Sequence, residues 1–342
     1  MEKLILLEKL EVKNLLNTRD GEIKFGEQIK LLSNVSNIYD AIKSLDVDYV
    51  IFGLPEDVGV FANLGNTGTY NAWNATIKVL LNIQSNPFTA ANRVLILGHL
   101  DFTEELEQLS KLKQNDKKHI QSARKLVTEI DKHVTDLVCT IISAGKTPIA
   151  IGGGHNNAYG MIKGTSLGLK KPINAINFDA HTDFRNLEGR HSGNGFSYAY
   201  NEGFLKKYFI FGLHENYTST PIFENLDTDK KLDYITYEDI EVKQKTSFKN
   251  ALKRGKDHIC KNEFGIEIDC DAIINIPSSA KTPSGFSVKK TRQFLHYFAK
   301  RKHVKYLHIC EAAPTKKTAN QVGKLITYLI TDFIKAKNTK NE

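Results

Sequence analysis

Three short apolar runs in this chain of 342 residues each end in histidine or aspartate, and no other feature constrains the fold as much. Residues 148–151 lead into Gly152-Gly153-Gly154-His155, 173–178 into Asp179-Ala180-His181-Thr182-Asp183, and 264–268 into Asp269-Cys270-Asp271. Unbroken Val/Ile/Phe-rich runs of this length are the pattern of strands buried on both faces. Four more occur at 49–54, 93–97, 208–213 and 306–310. Between most of them lie stretches of helical length. The clearest, 117–144, sets Ile120, Ala123, Val127, Ile130, Val134, Val138 and Ile141 along one side and closes at Gly145, a helix C-cap signal. Strands alternating with helices predict an α/β three-layer sandwich, its mainly parallel central sheet covered on both faces. Such sheets bind ligands beyond the carboxyl ends of their strands, which is where these histidines and aspartates stand.

The rest of the composition removes other classes. With 41% hydrophobic and 25% charged residues the bulk of the chain is not disordered. No run approaches the ~20 apolar residues of a membrane helix. The N-terminal stretch carries acids and lysines through its apolar run, unlike a signal peptide, so a cytoplasmic protein is expected. Cys139, Cys260, Cys270 and Cys310 form no CxxC pair and read as reduced thiols, with Cys270 and Cys310 turned into the core away from the aspartates. The net charge of +8 is spread over groups at 111–118, 289–292 and 300–302, a solvated surface and no nucleic-acid stripe. No linker or internal repeat divides residues 1–342. A single domain is expected, with an extension over about 1–46, a catalytic core over 47–330 and a frayed polar tail over 335–342.

Residues two apart in a strand share a face, so Asp179 pairs with His181 and Asp269 with Asp271. Asp179 and Asp183 would stand roughly 13 Å apart if extended, so joint use requires the chain to turn after His181. Four converging carboxylates repel one another. Two divalent cations cancel their charge, and the imidazoles of His155 and His181 complete the ligand set. Oxygen ligands with some imidazole suit Mn²⁺ better than Zn²⁺ or Cu²⁺. Two ions sharing a water generate hydroxide near neutral pH, and the chemistry expected is metal-assisted hydrolysis of a small molecule.

The motifs GGGH, DAHTDFR and IDCD, in this order, resemble the three signatures of the ureohydrolase family of arginases, agmatinases and formimidoylglutamases. Glu311, in His308-Ile309-Cys310-Glu311-Ala312-Ala313-Pro314, resembles the family's late strand-end glutamate, and Gly59-Val60-Phe61-Ala62-Asn63-Leu64-Gly65 its early substrate-side loop. The resemblance covers roughly 47–330 and implies an arginase-like fold, two Mn²⁺ ions and a homo-oligomer. It implies that His155, Asp179, Asp183 and Asp269 hold one ion and Asp179, His181, Asp269 and Asp271 the other. A metal-bridging hydroxide would attack an amidine or guanidine carbon, Asp183 would pass a proton to the leaving amine, and Glu311 would pair with the cationic head. Where arginases continue their SGN loop with a proton-shuttling histidine, this chain has Phe196; formimidoylglutamases instead resemble Asp183-Phe184-Arg185 followed by a Ser192-to-Phe196 loop. The substrate expected is therefore N-formimidoyl-L-glutamate, with arginine, agmatine or another urea-releasing guanidine as the alternative. Arg185, Arg190, Ser192 and Asn194 are the expected substrate contacts and His191 the candidate proton shuttle. Asn66-Thr67 in the early loop, and Glu267 where the family carries serine, depart from the pattern. Histone deacetylases share some of these ligands but would hold one zinc, whereas six ligands favour two ions.

Overall fold

The computed structural model describes residues 3–33 and 35–339, and among them nine strands form one sheet. In chain order these are β1 (Leu4–Leu6), β2 (Tyr49–Gly53), β3 (Val94–Leu100), β4 (Thr147–Ile151), β5 (Ile173–Phe178), β6 (Leu205–Leu213), β7 (Leu232–Thr236), β8 (Phe264–Asp269) and β9 (Val304–Cys310). Their spatial order is β1-β3-β2-β4-β9-β8-β5-β6-β7, and every neighbouring pair is parallel except β1 with β3. The seven apolar runs are the inner strands β2 to β6, β8 and β9. Both edge strands escape the run criterion, β1 because three residues form no pattern and β7 because Asp233 and Thr236 break Leu-Asp-Tyr-Ile-Thr.

Alternation divides the core between the two faces. Ile149 and Ile151 pack into one layer and Ala150 into the other, as Ile51 opposes Val50 and Phe52. Helices cover both layers. The longest, Lys117–Ser143, starts on Asp116, whose carboxylate accepts the Lys118 and His119 N–H groups at 2.8 and 3.4 Å. It packs against the Asn157–Leu169 helix through Gly160, Gly164 and Gly168. A Cβ on Gly160 would stand 2.7 Å from Val134, and one on Gly164 2.6 Å from the Thr135 carbonyl. Only glycine lets these helices touch, and the contact seats the segment that directly follows His155.

The two termini differ from expectation. The first 46 residues are no mere extension, since β1 completes one edge of the sheet on Leu97–Leu100 of β3. Residues 335–338 are not frayed. The helix Ala319–Asn338 carries them with Ile334 and Ala336 buried, while Lys337 Nζ donates to the Val304 carbonyl at 3.0 Å. Residues 340–342 of the expected tail lie outside the described residues.

Candidate metal centre

Parallel register brings four strand ends to one level in the middle of the sheet. Ile151 of β4 pairs with Ile309 of β9, Ile309 with Ile268 of β8, and Ile268 with Phe178 of β5. The residues just beyond that row are the strand-end histidines, aspartates and Glu311. Ligand atoms of His155, Asp179, Asp183 and Asp269 all lie within 4.8 Å of one another, as do those of Asp179, His181 and Asp271. Asp179 belongs to both groups. Asp269 joins only the first; its Oδ1 accepts the Asp271 N–H at 2.7 Å, so the expected bridging by Asp269 is not visible in this arrangement.

The chain turns earlier than expected. β5 stops at Phe178, and the Asp179 carboxylate accepts the His181 N–H at 2.7 Å. Asp183 then takes φ +44°, and Glu311 takes φ +59°. Left-handed conformations cost non-glycine residues about 1–3 kcal/mol and concentrate at functional sites, and here they aim two carboxylates into one space.

Electrostatics shows how unusual that space is. Burial, reinforced by the charge of Asp179, pushes Asp183 up to about 6, and burial lifts Glu311 to about 8 against the hydrogen bonds it accepts. Asp269 is raised well above the usual range by burial and by Asp271 and Asp179. Burial alone would depress His181, but Asp271 and Asp179 outweigh it and hold the imidazole high. The centre favours positive charge at its middle. His155 Nδ1 stands 2.8, 3.1 and 3.3 Å from oxygens of Asp183, Asp269 and Asp179, yet neither ring nitrogen makes a hydrogen bond. Asp271 Oδ1 and Glu311 Oε2 are likewise buried without a partner. Buried polar atoms normally find partners, and this convergent set of oxygens and imidazole nitrogens fits divalent cations.

His181, Asp183, Asp269, Asp271 and Glu311 line a cavity of about 360 Å³ whose wall includes Asn63, Arg185, Ser192, Tyr217 and Ser279. A larger groove of about 910 Å³, between helices Phe248–Ile259 and Val288–Ala299, contains none of the strand-end acids, so size does not identify the site. Arg185 reaches the mouth, where it donates to Asn63 Oδ1 at 2.7 Å and to Glu188 Oε1 at 3.1 Å. Ser192 Oγ accepts from Asn63 Nδ2 at 3.2 Å. Asn66 ties the early loop to the Ser279 carbonyl at 3.0 Å.

Three expected site residues do not face this cavity. Arg190 is buried, donates to Asp131 at 2.8 Å and to the Asn156 carbonyl at 2.8 Å, and lies between the rings of Tyr159 and Tyr198. Its guanidinium faces the long helix. Asn194 is spent inside the loop, accepting the His191 N–H at 3.0 Å and donating to the Gly189 carbonyl at 2.9 Å. His191 accepts the Gly193 N–H at Nδ1 and meets Glu188 through Nε2, both at 3.1 Å. Burial, then the charges of Arg185, Arg124 and Arg190, push it down to about 3, which corrects the expectation of a proton shuttle.

Other residues matter more than their sequence context suggests. Glu56, just past β2, is buried; it accepts from the Gly154 N–H at 2.9 Å, Asn157 Nδ2 at 2.6 Å and the Val58 N–H at 2.8 Å, fixing the loop that presents His155. Its place beyond an apolar run was the available signal. Phe196 packs its ring at 5.2 Å from the His155 ring and stacks on Tyr208. Glu267, inside β8, accepts from Tyr306 Oη at 2.7 Å and His308 Nδ1 at 2.6 Å. Cys310 is buried as expected but not turned away from the site: its Sγ lies within 4.8 Å of nitrogens of His155 and His308.

Comparison with known proteins agrees with this geometry. The family model described as the arginase family matches residues 48–335. A formimidoylglutamase of Streptococcus pyogenes is 26% identical over 298 residues, covering 82% of this chain and 84% of the relative. Among solved structures, a Trypanosoma cruzi formiminoglutamase variant with two Mn²⁺ superposes with a TM-score of 0.71 at 18% identity, covering 94% of this chain and 99% of that one. A formimidoylglutamase from Bacillus subtilis gives a TM-score of 0.69 at 16% identity, covering 92% and 93%. The chain belongs to the arginase family, a family of hydrolases.

Proposed function

We propose that this protein cleaves the C–N bond of a small amidine, N-formimidoyl-L-glutamate, with water to give L-glutamate and formamide. The observation that carries the reading is the pair of His/Asp groups sharing Asp179, whose members His181, Asp183, Asp269 and Asp271 line a cavity with an arginine at its mouth. His155, Asp179, Asp183 and Asp269 would hold one Mn²⁺, and Asp179, His181 and Asp271 the other. When bound, the two ions supply charge neutralisation and lower the pKa of water in the site.

The chain's own residues provide the rest. Glu311 Oε1 accepts the His155 N–H at 2.6 Å, which leaves the buried Oε2 free for the planar, cationic amidine head. Asp183, which lines the cavity 2.8 Å from His155 Nδ1, is placed to take a proton from the attacking water and pass it to the departing amine of glutamate. Arg185, about half exposed at the mouth, meets the distal carboxylate. Buried His191, Arg190 and Asn194 build the loop that carries Arg185 and Ser192. The names of the S. pyogenes and B. subtilis relatives support the same substrate.

The test is a product assay on Mn²⁺-loaded protein offered formimidoyl-glutamate, arginine, agmatine and guanidinobutyrate separately, with Asp183→Asn and Glu311→Gln as controls. Formamide from the first substrate alone, lost in both variants, is expected. Urea from any of the others would replace the substrate while keeping the class of reaction.

A further inference from the structure

His155 is the only imidazole in the group formed with Asp179, Asp183 and Asp269, so that group depends on its ring orientation and tautomer. Its Nδ1 faces the three carboxylates. Its Nε2 faces the interior and lies 3.5 Å from Glu267 Oε2, at the outer limit of a hydrogen bond. Glu267 is itself fixed from β9, the neighbouring strand. His308, its register partner, donates through Nδ1 at 2.6 Å, and Tyr306 Oη donates at 2.7 Å to the other oxygen. The Tyr306 ring reaches this position only because residue 265 is glycine; a Cβ there would stand 1.9 Å from Tyr306 Cζ. Three polar side chains are thus committed beneath one imidazole.

Burying a carboxylate in such a place is costly before its hydrogen bonds are counted, and an apolar residue would fill the space without that cost. The arrangement gains a carboxylate at the back of a ligating histidine. A carboxylate so placed would set the proton on Nε2, leave the Nδ1 lone pair for a cation and lock the ring plane. Phe196 holds the ring from another side, edge to face at 87°.

We propose that Glu267, held by Tyr306 and His308, is a positioning residue that fixes the His155 ring and its tautomer for the ion bound with Asp179, Asp183 and Asp269. The proposal rests on the two-ion reading above, but concerns one ion only and is independent of the substrate.

The test titrates the metal-stripped full chain with Mn²⁺ alone, in the wild type, E267Q and Tyr306→Phe, following the number and affinity of bound ions by equilibrium dialysis and the coupling of the pair by electron paramagnetic resonance. Glutamine keeps the volume but offers one acceptor oxygen where two are used. One ion should bind about 10–100-fold more weakly in E267Q, as when an outer partner of a ligating histidine is lost, with the other ion unchanged. Tyr306→Phe removes one hydroxyl and should weaken the same ion to a smaller degree; it carries the test alone if E267Q does not fold. Unchanged isotherms in a folded variant, including the case where only the melting temperature of the metal-free protein falls, would overturn the proposal. Wild-type protein that binds two ions but releases no formamide would remove the proposed substrate and leave this inference standing. Wild-type protein that binds none would remove both.

Discussion

Replacing Arg190 separates a structural arginine from a substrate-binding one. Its guanidinium makes a two-point contact with Asp131 at 2.8 and 3.3 Å, donates to the Asn156 carbonyl at 2.8 Å, and lies 4.9 and 5.0 Å from the ring centres of Tyr159 and Tyr198. Arg190→Met fills most of the volume but leaves the Asp131 carboxylate buried and unpaired. Breaking a buried ion pair from one side costs about 3–5 kcal/mol. Adding Asp131→Asn removes the orphaned charge, so the double variant should recover about 2 kcal/mol of that loss, leaving the hydrogen-bond and packing terms. The pH dependence follows from Asp131, which burial raises to about 6 despite the pull of Arg190. A carboxylate with a folded pKa above its unfolded value of about 3.9 loses stability as pH rises between the two values. Without Arg190 the folded pKa rises further, so that loss continues above pH 6. The cost of Arg190→Met should therefore be larger at pH 8 than at pH 5, where Asp131 is largely neutral in both proteins. Urea unfolding of the metal-free protein at the two pH values gives these numbers. A variant of wild-type stability whose KM alone rises tens-fold would refute the reasoning and return Arg190 to the substrate.

Further consequences follow from the same geometry. Asp179→Ala removes the residue common to both groups and should weaken both Mn²⁺ ions by more than about 100-fold, whereas His181→Ala should weaken one; metal titration separates the two patterns. His191, held near 3, does not titrate between pH 5 and 9, so His191→Gln should lower the unfolding midpoint without removing a limb from the pH–rate profile. Gly153 has φ +70°, and a Cβ there would stand 2.3 Å from Asn157 Nδ2 and 2.7 Å from Glu56 Oε1. Gly153→Ala should cost about 2–5 kcal/mol in urea unfolding and weaken Mn²⁺ binding, because the strained loop presents His155.

How much of this was legible in the sequence depends on what decides each feature. The six strand-end histidines and aspartates were readable because parallel strands buried on both faces leave a continuous apolar run, and the run's end marks where a side chain enters the ligand space. Glu56 obeys the same rule just past β2, but the groups it holds in the distant loop, the Gly154 N–H and Asn157 Nδ2, leave no trace in spacing. The strands β1 and β7 lie at the sheet edges, where half-exposure breaks the run. Arg190 and His191 have the right chemistry and neighbourhood, but which way a loop side chain turns is set by Asp131 on a helix 59 residues away. Glu267 was visible only as an oddity within a strand, because its partners Tyr306 and His308 come from another strand through register.

The most direct test of the account is the number of Mn²⁺ ions bound per chain when the metal-stripped wild-type protein is titrated to saturation. Two ions sharing Asp179 require a stoichiometry of two, with protons released as His155 and His181 give theirs up to the cations. Saturation at a single ion, or no binding at all, would contradict the two-ion centre on which the proposed chemistry stands.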